Sequence, residues 1–149
     1  MIYVLYGQPG SGKTTLSKKL CDRIRFDPMG CEPVVLDGDE FRELFKQTDY
    51  SKNGRENNIR AANTVATFVS KVNQVDVIMA LVNPYAHLRK ELKANNSQVC
   101  QVYLHTDRDL RKEYHVENFE IGDPDIKINT DKNINASWID LVSELNNFI

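Results

Sequence analysis

The sequence predicts a three-layer α/β domain: a mostly parallel five-stranded sheet with helices on both faces. Three observations predict it. Apolar, β-branched runs alternate with segments of helical period along the whole chain, an order that implies right-handed strand–helix–strand crossovers. The first such unit, "MIYVLY" followed by "GQPGSGKTT" and "TTLSKKLCDRI", places a glycine-rich turn between a strand and a helix. The 149 residues suit one domain, residues 1–149, with a single sizeable core.

The elements follow in order. Residues 1–6 are an apolar strand, and Leu16, Leu20 and Ile24 recur at helical spacing behind the turn. "FDPMGCEP" is a connection, after which "VVLDGDEF" is a short strand ending in acids, followed by "ELFK" and the polar stretch "QTDYSKNGRENN". A helix is predicted over 58–73, with Ile59, Ala62, Val65, Ala66 and Val69 on one face. "VDVIMALVN" is a continuous apolar run suited to a strand covered on both sides. "PYAHLRKELKANN" reads as a helix with Pro84 in its first turn. "SQVCQVYLH" and "DIKINT" are the fourth and fifth strands, and the last helix, starting at Asn135, places Trp138, Leu141, Val142, Leu145 and Phe148 together.

The turn at residues 7–14 fits G-x-x-x-x-G-K-[ST], the phosphate-binding loop. A phosphate chain is met by converging backbone N–H groups, which requires glycines able to take positive φ; Gly7, Gly10 and Gly12 supply them, with Ser11 between. The following helix points its positive end at the same anion. Lys13 is then placed on the outer phosphates, the Thr14 hydroxyl on Mg²⁺, and Thr15 beside them. The expected cofactors are ATP and Mg²⁺.

Composition narrows the class. A hydrophobic fraction of 41% and a charged fraction of 27% are ordinary for a globular protein. The net charge of −2 offers no field for a long nucleic acid. Cys21, Cys31 and Cys100 are an odd set without C-x-x-C spacing, which argues against a disulfide framework or zinc and for a reducing compartment. No run approaches a membrane span, so the reading is a soluble cytoplasmic protein with a small-molecule substrate, and a homodimer stays open.

Ligands of such sheets bind outside the carboxyl ends of the strands, and each of these ends carries polar chemistry. "LDGDEFR" sets Asp37 and Asp39 two positions apart; Asp39 is assigned as the base for an acceptor hydroxyl or as a ligand of Mg²⁺ or its water. An acid capping a helix is the plainer alternative. Arg55 and Arg60 in "RENNIR" suit an anion, or a solvated face. "NPYAHLR" carries Tyr85 and Arg89, and residues 107–121 gather Arg108, Arg111, Lys112 and His115 in a candidate lid or a solvated loop.

Together, "GQPGSGKTT", "LDGDEFR", "YSKNGRENNIR", "NPYAHLR" and "PDIKINTD" resemble, in the same order, the blocks of the adenylylsulfate (APS) kinase family. The resemblance spans nearly the whole chain. It implies a P-loop kinase fold and phosphorylation of the 3′-hydroxyl of APS by Mg·ATP to give PAPS. It further implies that Lys13 and Thr14 serve ATP and Mg²⁺, and that Arg42, Arg55, Asn58 and Arg89, with Asp37 beside them, hold the adenylyl sulfate. Tyr50 stands where the family has a phenylalanine stacked on the substrate adenine. The lid is shorter than the family's, Phe119-Glu120 stands where a Tyr-Glu is usual, and Asn57 and Asn83 replace a glutamate and a serine. The alternatives are a kinase of another small hydroxyl compound (nucleoside, sugar or nucleic-acid 5′-end) and an ATP-binding module without transfer.

Overall fold

The structure is a computed structural model that describes residues 1–108 and 111–149. Strands β1 (Ile2–Tyr6), β2 (Val34–Asp37), β3 (Val77–Leu81), β4 (Val99–His105) and β5 (Ile126–Asn129) form one sheet in the order β2-β3-β1-β4-β5. Every pairing in it is parallel. Helices α1 (Lys13–Arg25), α2 (Gly38–Leu44), α3 (Lys52–Asn73) and α4 (Ala86–Asn95) connect β1 to β4, residues 112–114 make one 3₁₀ turn between β4 and β5, and α5 (Ile134–Phe148) follows β5.

The two-residue period of β1 divides the core. Tyr3 and Leu5 face α1 and α5, packing with Leu16, Leu20, Ile24, Leu141 and Leu145. Ile2, Val4 and Tyr6 face the other way, with Phe41 of α2, Ala62 and Ala66 of α3 and Leu92 of α4. Three layers result, as the alternating sequence requires. No described helix is long and apolar enough to cross a membrane.

Several boundaries differ from the expected ones, each for a local reason. β2 stops at Asp37, whose carboxylate accepts from the Asp39 N–H at 3.1 Å and so starts α2 immediately. α3 begins six residues before Asn58, because Ser51 caps it by accepting from Gly54 N–H at 3.2 Å. A side chain at Gly54 would strike Asp49, so only glycine lets that turn close. α4 begins after Pro84, at Ala86. The cap of α5 is Asn133, two residues before the expected Asn135.

The chain leaves β1 for β2 and β3 on one side, then crosses to β4 and β5 on the other. β1 is therefore the switch point, and the crevice at its carboxyl end holds the glycine-rich loop.

Candidate active site

The loop after β1 is shaped by backbone that side chains disfavour. Gly10 and Gly12 take φ of 85° and 99°. At Gly7 a side chain would collide with the Leu104 carbonyl and the Ser11 hydroxyl. Ser11 is 1% exposed, its N–H donates to the Gln8 carbonyl at 3.1 Å, and its carbonyl accepts the Thr130 hydroxyl at 2.8 Å. Thr130, just past β5, thus pins the loop from 119 residues away.

Lys13 folds back onto this loop. Its Nζ donates to the Gly7 and Gln8 carbonyls, both at 2.9 Å, and to Ser11 Oγ at 3.4 Å. Burial pushes its pKa down from 10.5 to about 8; Asp39 and then Asp37 oppose that shift, and Arg111 adds to it. Thr14, exposed, donates its hydroxyl to Asp37 Oδ2 at 2.9 Å. The Asp39 carboxylate has no hydrogen bond to a described residue, yet it is the stronger of the two negative charges acting on Lys13. Lys13, Thr14, Asp37 and Asp39 therefore converge, with Thr15 exposed beside them. A hydroxyl and two carboxylates are hard oxygen donors of the kind that suit Mg²⁺ together with phosphate oxygens.

The residues assigned to the acceptor divide. The Arg42 guanidinium lies 4.2 Å over the Tyr50 ring and donates to the Asp49 carbonyl at 3.2 Å. Tyr50 is 60% exposed, leaving ring surface for a ligand. Arg55 is half-buried with no ion-pair partner among the described residues, and Asn58 is buried. Arg60 sits on the solvated side with Glu56 and Glu91, at 3.7 and 3.6 Å.

Arg89 departs from this group. It is 1% exposed, lies 4.0 Å over the Tyr6 ring, and donates Nη1 to the Asn83 carbonyl and Nη2 to the Glu120 and Ile121 carbonyls at 2.6 and 2.9 Å. Phe119 stacks on Tyr6 with centroids 6.3 Å apart, on the same side of the sheet. Arg89 thus holds the end of the candidate lid, and Phe119 packs there on Tyr6.

In the segment expected as a lid, Arg108 and Arg111 are exposed, as is Lys112 within its 3₁₀ turn. Asp109 and Leu110, inside the expected span 107–121, lie outside the described residues. Tyr6, Gln8 and Thr130 were not expected at the site; all three act through backbone groups distant in sequence. A groove of about 470 Å³ between α3 and α4, lined by Asn63, Thr67, Phe68 and Leu92, lies toward the amino ends of the strands, away from this chemistry.

The model of the family described as adenylylsulphate kinase matches residues 1–119. The APS kinase of Mycobacterium tuberculosis, solved in complex with AMPPNP and APS, superposes with a TM-score of 0.80 at 20% identity, covering 97% of this chain and 96% of that one. A hexameric APS kinase from Thiobacillus denitrificans gives 0.75 at 25% identity, covering 99% of this chain and 29% of that longer one. A gluconokinase from Sinorhizobium meliloti gives 0.71 at 14% identity, covering 98% and 91%. No curated protein sequence matches the chain.

Proposed function

Because the chain belongs to the adenylylsulphate kinase family, we propose that it transfers the γ-phosphoryl group of Mg·ATP to the 3′-hydroxyl of APS, giving PAPS and ADP. The observation that carries this reading is the convergence of Lys13, the Thr14–Asp37 pair and the unbonded Asp39 carboxylate at the carboxyl end of β1. In this reading the N–H groups of residues 10–14 cradle the β- and γ-phosphates, and Lys13 exchanges the Gly7 and Gln8 carbonyls for phosphate oxygens. Mg²⁺, held by Thr14 with Asp37 and Asp39, would neutralise charge on the phosphate chain. The acceptor oxygen forms its bond to the γ-phosphorus as the bond to the bridging β-γ oxygen breaks, and the hydroxyl proton passes to Asp39. Tyr50 stacks the adenine, while Arg42, Arg55 and Asn58 hold the anionic bridge.

One observation favours a second reading. Arg89 is committed to backbone carbonyls rather than to the crevice, which leaves fewer cations for an anionic acceptor and favours a neutral one such as a sugar.

The test is a chromatographic assay of the protein with Mg·ATP and APS, following PAPS and ADP, with Lys13→Ala as control. Saturable PAPS formation, reduced on the order of a thousandfold in the control, is expected, the scale for removing a cationic clamp from the transferred group. ADP released only with a sugar or nucleoside present overturns the APS assignment and leaves the kinase.

A further inference from the structure

Gln8, the second residue of the phosphate loop, gives its side chain to the lid. Its amide nitrogen donates to the Val116 carbonyl and its amide oxygen accepts from the Val116 N–H, both at 2.8 Å. One side chain thereby satisfies both backbone groups of one residue, as a neighbouring strand would, and Val116 is only 8% exposed. The Gln8 carbonyl meanwhile accepts from Lys13 Nζ at 2.9 Å. A single residue touches the phosphate lysine through its backbone and the lid through its side chain.

Both flanks of the basic stretch 108–115 are tied. At its start the Asp107 N–H donates to Asp131 Oδ1 at 2.7 Å. At its end stands Val116 on Gln8, and beyond that Glu120 N–H donates to the Pro84 carbonyl at 2.9 Å and the Tyr6 hydroxyl to the Ile121 carbonyl at 2.6 Å. The Tyr6 and Arg89 anchors belong to the core, whereas the Gln8 anchor belongs to the catalytic loop itself. Without it the first tie to another element beyond the basic residues would move from Val116 to Glu120, and Arg111 would sample a larger volume.

Resting on the kinase reading above, we infer that Gln8 is a positioning residue that latches the lid to the phosphate loop and so fixes Arg111 and Lys112 relative to the transferred phosphoryl group. The amide is what the role demands. A carboxylate keeps the acceptor for the Val116 N–H but sets negative charge against its carbonyl, and a leucine keeps volume and loses both bonds.

The test is amide hydrogen exchange on the full chain, wild type against Gln8→Leu and Gln8→Glu, with kinetics on Mg·ATP and APS beside it. Exchange at Val116 should rise on the order of tenfold in Gln8→Leu, the scale of losing these two hydrogen bonds, while Val4 and Met79 in the core strands stay protected. The kcat should fall more than the KM for ATP, because the lid acts on the transition state and the loop binds the ground state. Unchanged Val116 exchange in Gln8→Leu overturns the latch. If Gln8→Leu loosens the core as well, Gln8→Glu decides: Val116 exchange between wild type and Gln8→Leu, with the core intact, upholds the latch, and wild-type exchange overturns it. Should no variant, wild type included, turn over APS while the exchange pattern holds, the latch stands and the APS reading falls.

Discussion

Between Gly7 and Thr14 the chain folds back on itself, the Ser11 N–H on Gln8 and Lys13 on Gly7, Gln8 and Ser11, and it is also tied outward, through Gly7 N–H to Val82, Thr14 to Asp37, Thr130 to Ser11 and Gln8 to Val116. Between Arg111 and Gly122 the local bonds are fewer. Apart from one 3₁₀ turn, the described lid hangs from Gln8, Tyr6, Pro84 and Arg89, at least 31 residues away in sequence. Both regions serve one crevice. A loop of local bonds keeps its shape without ligand, whereas a segment with few contacts of its own opens at low free energy when any anchor is lost. The structure thus sets a glycine-rich loop that folds back on itself beside a segment, residues 111–122, whose position is set largely by other elements.

The largest expected effect tests whether chemistry resides on the loop side. Asp39→Asn should lower turnover by about a hundredfold or more, the range for removing a general base, with nucleotide affinity by calorimetry changed only a few-fold. The reason is that the Asp39 carboxylate has no hydrogen bond to a described residue, while Thr14 and Asp37 remain to hold Mg²⁺. Equal loss of binding and turnover would break the comparison, since Asp39 would then belong to the cradle's architecture.

A smaller effect belongs to the lid. Arg89→Met should cost about 2–4 kcal/mol of stability, because the buried Asn83 carbonyl and the part-buried Glu120 carbonyl lose a donor and the Ile121 carbonyl is left with the Tyr6 hydroxyl alone. For a chain of this size that is roughly 5–15 °C in melting temperature. Proteolysis within residues 111–122 should accelerate before global unfolding does. Phe26, 78% exposed, supplies the control: Phe26→Ser should stay within about 0.5 kcal/mol. A segment that remains as resistant in Arg89→Met as in wild type would show that the Gln8, Tyr6 and Pro84 anchors suffice to hold it without Arg89.

The same contrast explains what the sequence made legible. The cradle's interactions fall within eight residues and need glycine at fixed positions, so a local pattern finds them, and strand alternation found all five strands and the three layers. Arg89 and Gln8 gave no such signal. Their partners are the carbonyls and N–H of residues 116, 120 and 121, groups that every residue type carries, so nothing in the lid's side chains announces them. The family resemblance sent Arg89 to the substrate, while the fold buries it against Tyr6. The first turns of α3 were missed for a related reason: Ser51, Lys52 and Asn53 are exposed, so the helix begins on a cap and a glycine rather than on an apolar period.

The smallest effect measures how closely the two regions communicate. Lys13 has a pKa near 8, and Arg111 of the lid contributes to holding it down. Only the ammonium clamps phosphate, so kcat/KM for ATP should fall above about pH 8, approaching tenfold per unit. Arg111→Ala removes one cause of depression and should move that limb upward by a fraction of a unit. Stability carries the opposite sign. The unfolded lysine titrates near 10.5 and the folded one near 8, so between those values the unfolded chain binds more protons and this group makes the fold more stable as pH rises. Activity that declines through pH 8–9 while the contribution of Lys13 to melting temperature, read against Lys13→Met, grows over the same range assigns the limb to Lys13 rather than to alkaline unfolding. An Arg111→Ala limb identical to wild type would mean that the lid and the cradle do not feel each other's charge in solution.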